Sequence, residues 1–204
     1  MKMITAFRIA ALAALTLLVF VGNSAAAQAS PDSTQTTELY KLQAAFHRAA
    51  TVHDPVNGDS ESEVLQRIRD MLSLWTGNGE LYVHGFGSID GYYVGTGDPE
   101  DPSTCPQVSG MAGGVRGTLC TYFTYVAGPF QQANRFVSLA PSYKTSFDVH
   151  GDTASGYFEC HFYDVSTTPW TAKVKIKVIA ALQKINGQWL FSYLDTAPTG
   201  IPVP

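Results

Sequence analysis

Apolar and polar residues alternate almost without a break through two consecutive stretches in the second half of the chain, Asp152–Val165 and Thr171–Leu182. Side chains point to opposite faces along a strand, so the alternation predicts two long β-strands. Thr167, Thr168 and Pro169 between them predict the turn of an antiparallel hairpin. Folding the strands about that turn sets Phe162 opposite Val174, Cys160 opposite Ile176 and Phe158 opposite Val178. The other face then pairs Tyr163 with Lys173, His161 with Lys175 and Glu159 with Lys177. One face is apolar and the other charged. A one-residue slip would bury three lysines, so the pattern nearly fixes the register. A sheet with one wet face packs helices on its dry face.

Upstream the period changes from two to 3.6. Leu39, Leu42, Phe46, Ala49 and His53 share one stripe, which predicts a helix from a cap at Thr36 or Thr37 to about Val52. Asp54-Pro55 and Asn57-Gly58 break it. A second helix starts near Ser60 or Ser62, with Glu61 and Glu63 at its positive end. Val64, Leu65, Ile68, Met71, Leu72 and Trp75 give its apolar face, and Gly77-Asn78-Gly79 ends it. Glu80–His84 is a short strand. Phe86–Gly117, rich in glycine and holding Pro99, Pro102 and Pro106, is a long loop. Thr118–Val126 is a third short helix, its β-branched and aromatic content leaving strand open as the alternative. Arg135–Val149 is a strand partner interrupted at Pro141. Asn186-Gly187 is a type I′ turn signal before the closing strand Gln188–Leu194, and a proline-rich tail follows from Thr196.

The ends change the picture. Lys2 and Arg8, the short apolar run Ile9–Val21 and Ala25-Ala26-Ala27 have the order of an export signal, with cleavage after Ala27. The expected organisation is a signal peptide 1–27, a loose arm 28–35, one domain 36–196 and an irregular tail 197–204. The protein is then exported, to a periplasm or out of the cell, with no membrane attachment after cleavage. The formal charge is −4, and cleavage removes two more cations, which argues against nucleic acid as a partner. Three cysteines make an odd set. The expected arrangement is a Cys105–Cys120 disulfide, with Cys160 a buried free thiol on the dry face; three free thiols are the alternative.

Two helices, a short strand, Val149-His150-Gly151-Asp152-Thr153-Ala154 opening a long strand pair, and Asn186-Gly187-Gln188-Trp189 before the last strand resemble the nuclear transport factor 2-like superfamily. The SnoaL-like, or polyketide-cyclase-like, branch is the nearest. The resemblance covers roughly Thr36 to Thr196. It implies an α+β fold, a cone in which a curved antiparallel sheet wraps the N-terminal helices, with a pocket at the open end. Members include isomerases, dehydratases, cyclases and hydrolases beside non-enzymatic binding and dimerisation modules, so fold does not give function. Asp54 stands where family members place an aspartate that lines or braces the pocket.

The candidate chemistry follows from these placements. His53 next to Asp54 has the composition of an oriented general base; a histidine favoured by the helix C-terminus is the structural alternative. Tyr82 and His84 share a face of the strand that the resemblance sets beside the pocket, with Val83 the alternative inward residue. Phe123, Phe158, Phe162 and Ile176 would form an apolar wall for a ligand. Glu159 and His161 face lysines, which predicts a solvated charge ladder instead of a metal site. Asp98, Glu100 and Asp101 lack the spacing of a calcium loop. No nucleotide, flavin or metal motif is present in the sequence. The expected function is binding of a small, largely apolar molecule, with an enzyme using His53 and Asp54, or a homodimer joined through the outer sheet face, as alternatives.

Overall fold

The computed structural model describes residues 33–98, 100–101, 105–106, 114–139, 144–165 and 168–199. The proposed signal peptide and the end of the tail lie outside the described residues. No helix among the described residues is long and apolar enough to cross a membrane.

Helix α1 spans Ser33–Ala49 and buries Leu39, Leu42, Phe46 and Ala49, the stripe expected from the sequence. It takes in the end of the expected arm and stops short of His53. Helix α2, Glu61–Leu72, starts at Ser60, whose side chain accepts from the Glu63 backbone N–H while the Glu63 carboxylate accepts from the Ser60 N–H. Trp75, expected on this helix, instead opens strand β1, Trp75–Val83. Gly77, Asn78 and Gly79 form an irregular stretch of that strand, between the points where Trp75 pairs Phe191 and Glu80 pairs Tyr193.

The expected long loop holds two strands, β2 (Gly91–Val94) and β3 (Val115–Gly117). Both are too short to show an alternation. Thr118 then caps a helix longer than expected: α3 (Leu119–Tyr122), a π-turn over Phe123–Ala127 and α4 (Gly128–Asn134) run on continuously. Strands β4 (Phe136–Leu139) and β5 (Ser146–His150) both pair with β6 (Thr153–Asp164), on either side of the interruption expected near Pro141. Strands β7 (Thr171–Ile185) and β8 (Gln188–Pro198) complete an eight-stranded sheet. Its order is β3-β2-β1-β8-β7-β6-β4, with β5 beside β6. The sheet is mixed, since β1 runs parallel to β8 and β2 parallel to β3. Its curved inner face packs on α1.

The β6–β7 register matches the alternation at five pairs, Phe158–Val178 through Phe162–Val174. It then shifts: Tyr163 pairs with Ala172, not Lys173. Lys173 is the extra residue of this bulge, and its ammonium lies 3.8 Å from Asp164. The outer face is also drier than expected. Glu159 and His161 are both 7% exposed, so they are not a solvated ladder. They bond each other at 2.8 Å, Tyr157 donates to Glu159, and Lys144 reaches over it. The His161 hydrogen bond, followed by Tyr157 and Lys144, holds the Glu159 carboxyl below its usual range against the opposing pull of desolvation.

Cys105 and Cys120 are joined, and Cys160 is a buried free thiol. A bridge spanning 15 residues stabilises by about 3 kcal/mol in the chain-entropy model.

On the inner face His47 of α1 shares a 2.8 Å hydrogen bond with Ser138 of β4. Burial, helped by nearby His161, pushes its imidazole down from 6.5 to about 4. Above pH 6.5 His47 is neutral folded or unfolded. As the pH falls from there to about 4, the unfolded chain takes up a proton that the folded chain refuses, so stability is lost across that window. The full loss from this residue is about 3 kcal/mol. Urea unfolding at pH 7 and pH 4 tests it: the drop for His47→Gln is expected to be smaller than the parent's by most of that amount, and equal drops would assign the acid loss elsewhere.

Candidate functional site

Residues on the inner side of β1, β6, β7 and β8 do not all meet a helix. Between them and the helices lies a cavity of about 100 Å³. Cys160 and Phe162 of β6, Ile176 and Val178 of β7 and Leu194 of β8 form its sheet wall. Phe46 and Met71 close it from α1 and α2, and Tyr122, Phe123 and Ala127 from the continuous third helix. Phe130 also lines it and is 44% exposed, which carries the lining out to the surface. Five lining residues bear the more polar groups, Gln131, Thr196, Tyr122, Cys160 and Trp75, whose buried indole N–H has no partner among the described residues. Burial pushes the Tyr122 hydroxyl and the Cys160 thiol well above their ordinary values, so both stay protonated at neutral pH.

Of the residues expected to hold a ligand, Phe123, Phe162 and Ile176 line the cavity. Phe158 does not; it is fully buried against Phe46, His47 and Phe191. Tyr82 and His84 are placed away from the cavity. Leu81 lines it and Val83 is buried, so by strand alternation Tyr82 and His84 belong to the outer face. There Tyr82 is 42% exposed and stacks on His84, which lies 2.7 Å from the Asp195 carboxylate. The short apolar run around Val83 is compatible with either face, and only the pairing with β8 decides it.

His53 and Asp54 are also placed apart from the cavity. Because α1 ends at Ala49, His53 leaves the stripe and is exposed. Asp54 accepts from the Val56 and Asn57 backbone N–H groups and from the Asn57 side chain. These bonds, led by those from Asn57, hold its carboxyl below the ordinary range. This is turn chemistry. The aspartate turned toward the helices is Asp59, which the sequence reading passed over. It accepts from the His53 and Asp54 N–H groups and pairs with Arg67 at 2.6 Å, both side chains buried. Arg67 in turn donates to Gln131, 3.3 Å away, on the cavity wall. Gln131 had a sequence signal: Phe123, Ala127 and Gln131 recur every four residues, so a helix carried past Val126 brings all three to one face.

Glu100 of the acidic trio pairs with Arg69 at 3.0 Å. Among the described residues no three His, Cys, Asp or Glu side chains gather as a metal set.

Solved structures resemble this arrangement. An NTF2-like protein with a cystatin-like fold from Novosphingobium aromaticivorans aligns over 84% of this chain and 92% of its own, at 12% identity and a TM-score of 0.53. This chain has the nuclear transport factor 2-like fold. A protein of unknown function with a cystatin-like fold from Nostoc punctiforme aligns over 84% of this chain and 96% of its own, at 12% identity and a TM-score of 0.55. The hexachlorocyclohexane dehydrochlorinase LinA-type3 from Novosphingobium barchaimii LL02 covers 83% and 90%, at 15% identity and a TM-score of 0.50. Identities this low establish the NTF2-like fold alone. No protein-family model matches the sequence, and no curated protein matches it.

Proposed function

We propose that this chain is an exported protein that binds a small, largely apolar molecule in the cavity beneath its sheet. The observation that carries the reading is the lining: aromatic and aliphatic side chains around about 100 Å³, with few polar groups among them. Binding is favoured over turnover because no histidine or carboxylate is among the described lining residues, and Tyr122 and Cys160, held protonated by burial, supply no general base. The enzyme reading with His53 and Asp54 loses its support, since both lie on a turn away from the cavity. One protein of this fold is named for a small chlorinated ring, which agrees with the class of molecule. The signal-like N-terminus supports export, and a Cys105–Cys120 bridge agrees with an oxidising compartment.

Native mass spectrometry of the protein purified from the exported fraction tests the reading. The expected result is an extra mass of small-molecule size that denaturation releases. Ile176→Trp sets an indole into the cavity and is expected to weaken retention about a hundredfold, equivalent to about 2.7 kcal/mol. A clean apo mass, together with failure to take up an added apolar fluorophore, would overturn the proposal. The same spectrum counts subunits, and a dimer that Lys175→Glu dissociates would move the function to the outer sheet face.

A further inference from the structure

We infer that Gln131 reads a carbonyl oxygen on the bound molecule, so that the ligand is a neutral carbonyl compound with an apolar body, not a plain hydrocarbon. The inference rests on the binding reading above and deepens it.

The orientation of the Gln131 amide decides the matter. Its oxygen and nitrogen have nearly the same shape, so in general an amide can be turned either way. Here the neighbour removes the choice. Arg67 carries only donors. Its Nη1 donates to the Ala49 carbonyl at 3.4 Å and to Gln131 Oε1 at 3.3 Å. A flipped amide would set N–H against N–H. The Arg67 side chain is itself fixed, because its Nε lies 2.6 Å from the Asp59 carboxylate and both side chains are shut away from solvent. A chain of contacts therefore runs from Asp59 through Arg67 to Gln131.

This arrangement leaves over the two N–H groups on Gln131 Nε2 and, off the cavity wall, Arg67 Nη2, which is buried without a partner among the described residues. The Gln131 N–H groups donate to no other described residue. Gln131 is half-buried and lines the cavity beside Phe123 and Ala127. Its N–H groups are not sealed away in the free protein, but a ligand that fills the cavity shuts them from solvent and loses free energy unless it brings an acceptor. Thr196 is a different case: its hydroxyl donates to the Tyr82 carbonyl at 3.2 Å, so its proton is already committed. The Trp75 indole N–H is a second donor on the wall without a partner among the described residues, and substitutions at Gln131 leave it in place, so they separate the two. The acceptor is inferred to be neutral. Arg67 already has its counter-ion in Asp59, and a carboxylate brought into this lining would lose its water without a free cation to replace it.

Acetophenone and α-methylstyrene make the test. They share a shape, and a carbonyl oxygen in the first replaces a methylene in the second. The parent protein is expected to prefer the ketone about tenfold by calorimetry or ligand-observed NMR, within the range of one net hydrogen bond. In Gln131→Leu and in Gln131→Glu the ratio is expected to fall to about one. The glutamate keeps an acceptor for Arg67 while removing the donor, so it carries the test if the leucine variant does not fold. A ratio near one in the parent, or a tenfold ratio surviving in both variants, would overturn the inference while leaving the cavity reading intact. Benzoate binding more tightly than acetophenone would overturn the neutral class. Binding of neither neutral probe would overturn the cavity reading, and this inference with it.

Discussion

Arg67→Met destabilises the protein by about 3–5 kcal/mol, the range found when one partner of a buried ion pair is removed. The Arg67 and Asp59 side chains are 3% and 0% exposed, so no water can replace the lost guanidinium. Methionine fills much of the volume but leaves the Asp59 charge answered only by the His53 and Asp54 N–H groups. The change also frees Gln131 and strips a donor from the Ala49 carbonyl. Equilibrium urea unfolding measures the loss. Adding Asp59→Asn is expected to return part of it, because the uncompensated charge is then gone. A loss under about 1 kcal/mol would mean that Asp59 finds water on local opening, the ordinary result for an exposed pair.

Phe158→Ala is expected to cost a similar amount, about 3–5 kcal/mol, through lost burial and the hole left behind. Phe158 is 0% exposed and meets the rings of Phe46 and Phe191 at 5.8 and 6.3 Å, with His47 at 6.0 Å. It joins α1 to the middle of the sheet, where neighbours from α1, β7 and β8 converge and cannot collapse far. Phe162→Ala makes the contrast. Phe162 already borders open volume, so its truncation enlarges the cavity and removes fewer contacts. Thermal unfolding of both variants is expected to show the larger drop for Phe158→Ala. Equal drops would mean that the cavity is filled by packing in solution.

The central sheet was legible because its code is local. Period-two alternation in β6 and β7 names both the faces and the register, and Asn186-Gly187 names the next turn. Phe123, Phe162 and Ile176 followed from that pattern onto the cavity wall. The failures have equally local causes. His53 extended the α1 stripe on paper, but turn bonds from Asp54 and Asp59 end the helix before it. Tyr82 and Val83 both suit a short strand, so alternation alone could not choose the inward one. Strands of three or four residues, such as β2 and β3, carry too few positions for a period to show.

By itself the sequence determined the hairpin, its register from Phe158–Val178 to Phe162–Val174 and the two amphipathic helices, and it proposed the Cys105–Cys120 pairing that the structure shows. Each depends on neighbours along the chain or on residue types with few alternatives. Only the tertiary structure decided which face of β1 looks inward, that β1 runs parallel to β8, and that Glu159 and His161 are buried on the face expected to be wet. It alone brought Asp59, Arg67 and Gln131 into one line from a turn, a helix and the far end of another helix. Whether a wall of apolar side chains closes on itself or leaves a cavity depends on how far the helices stand from the sheet. That distance is set by packing among residues scattered along the whole domain, and no local pattern records it.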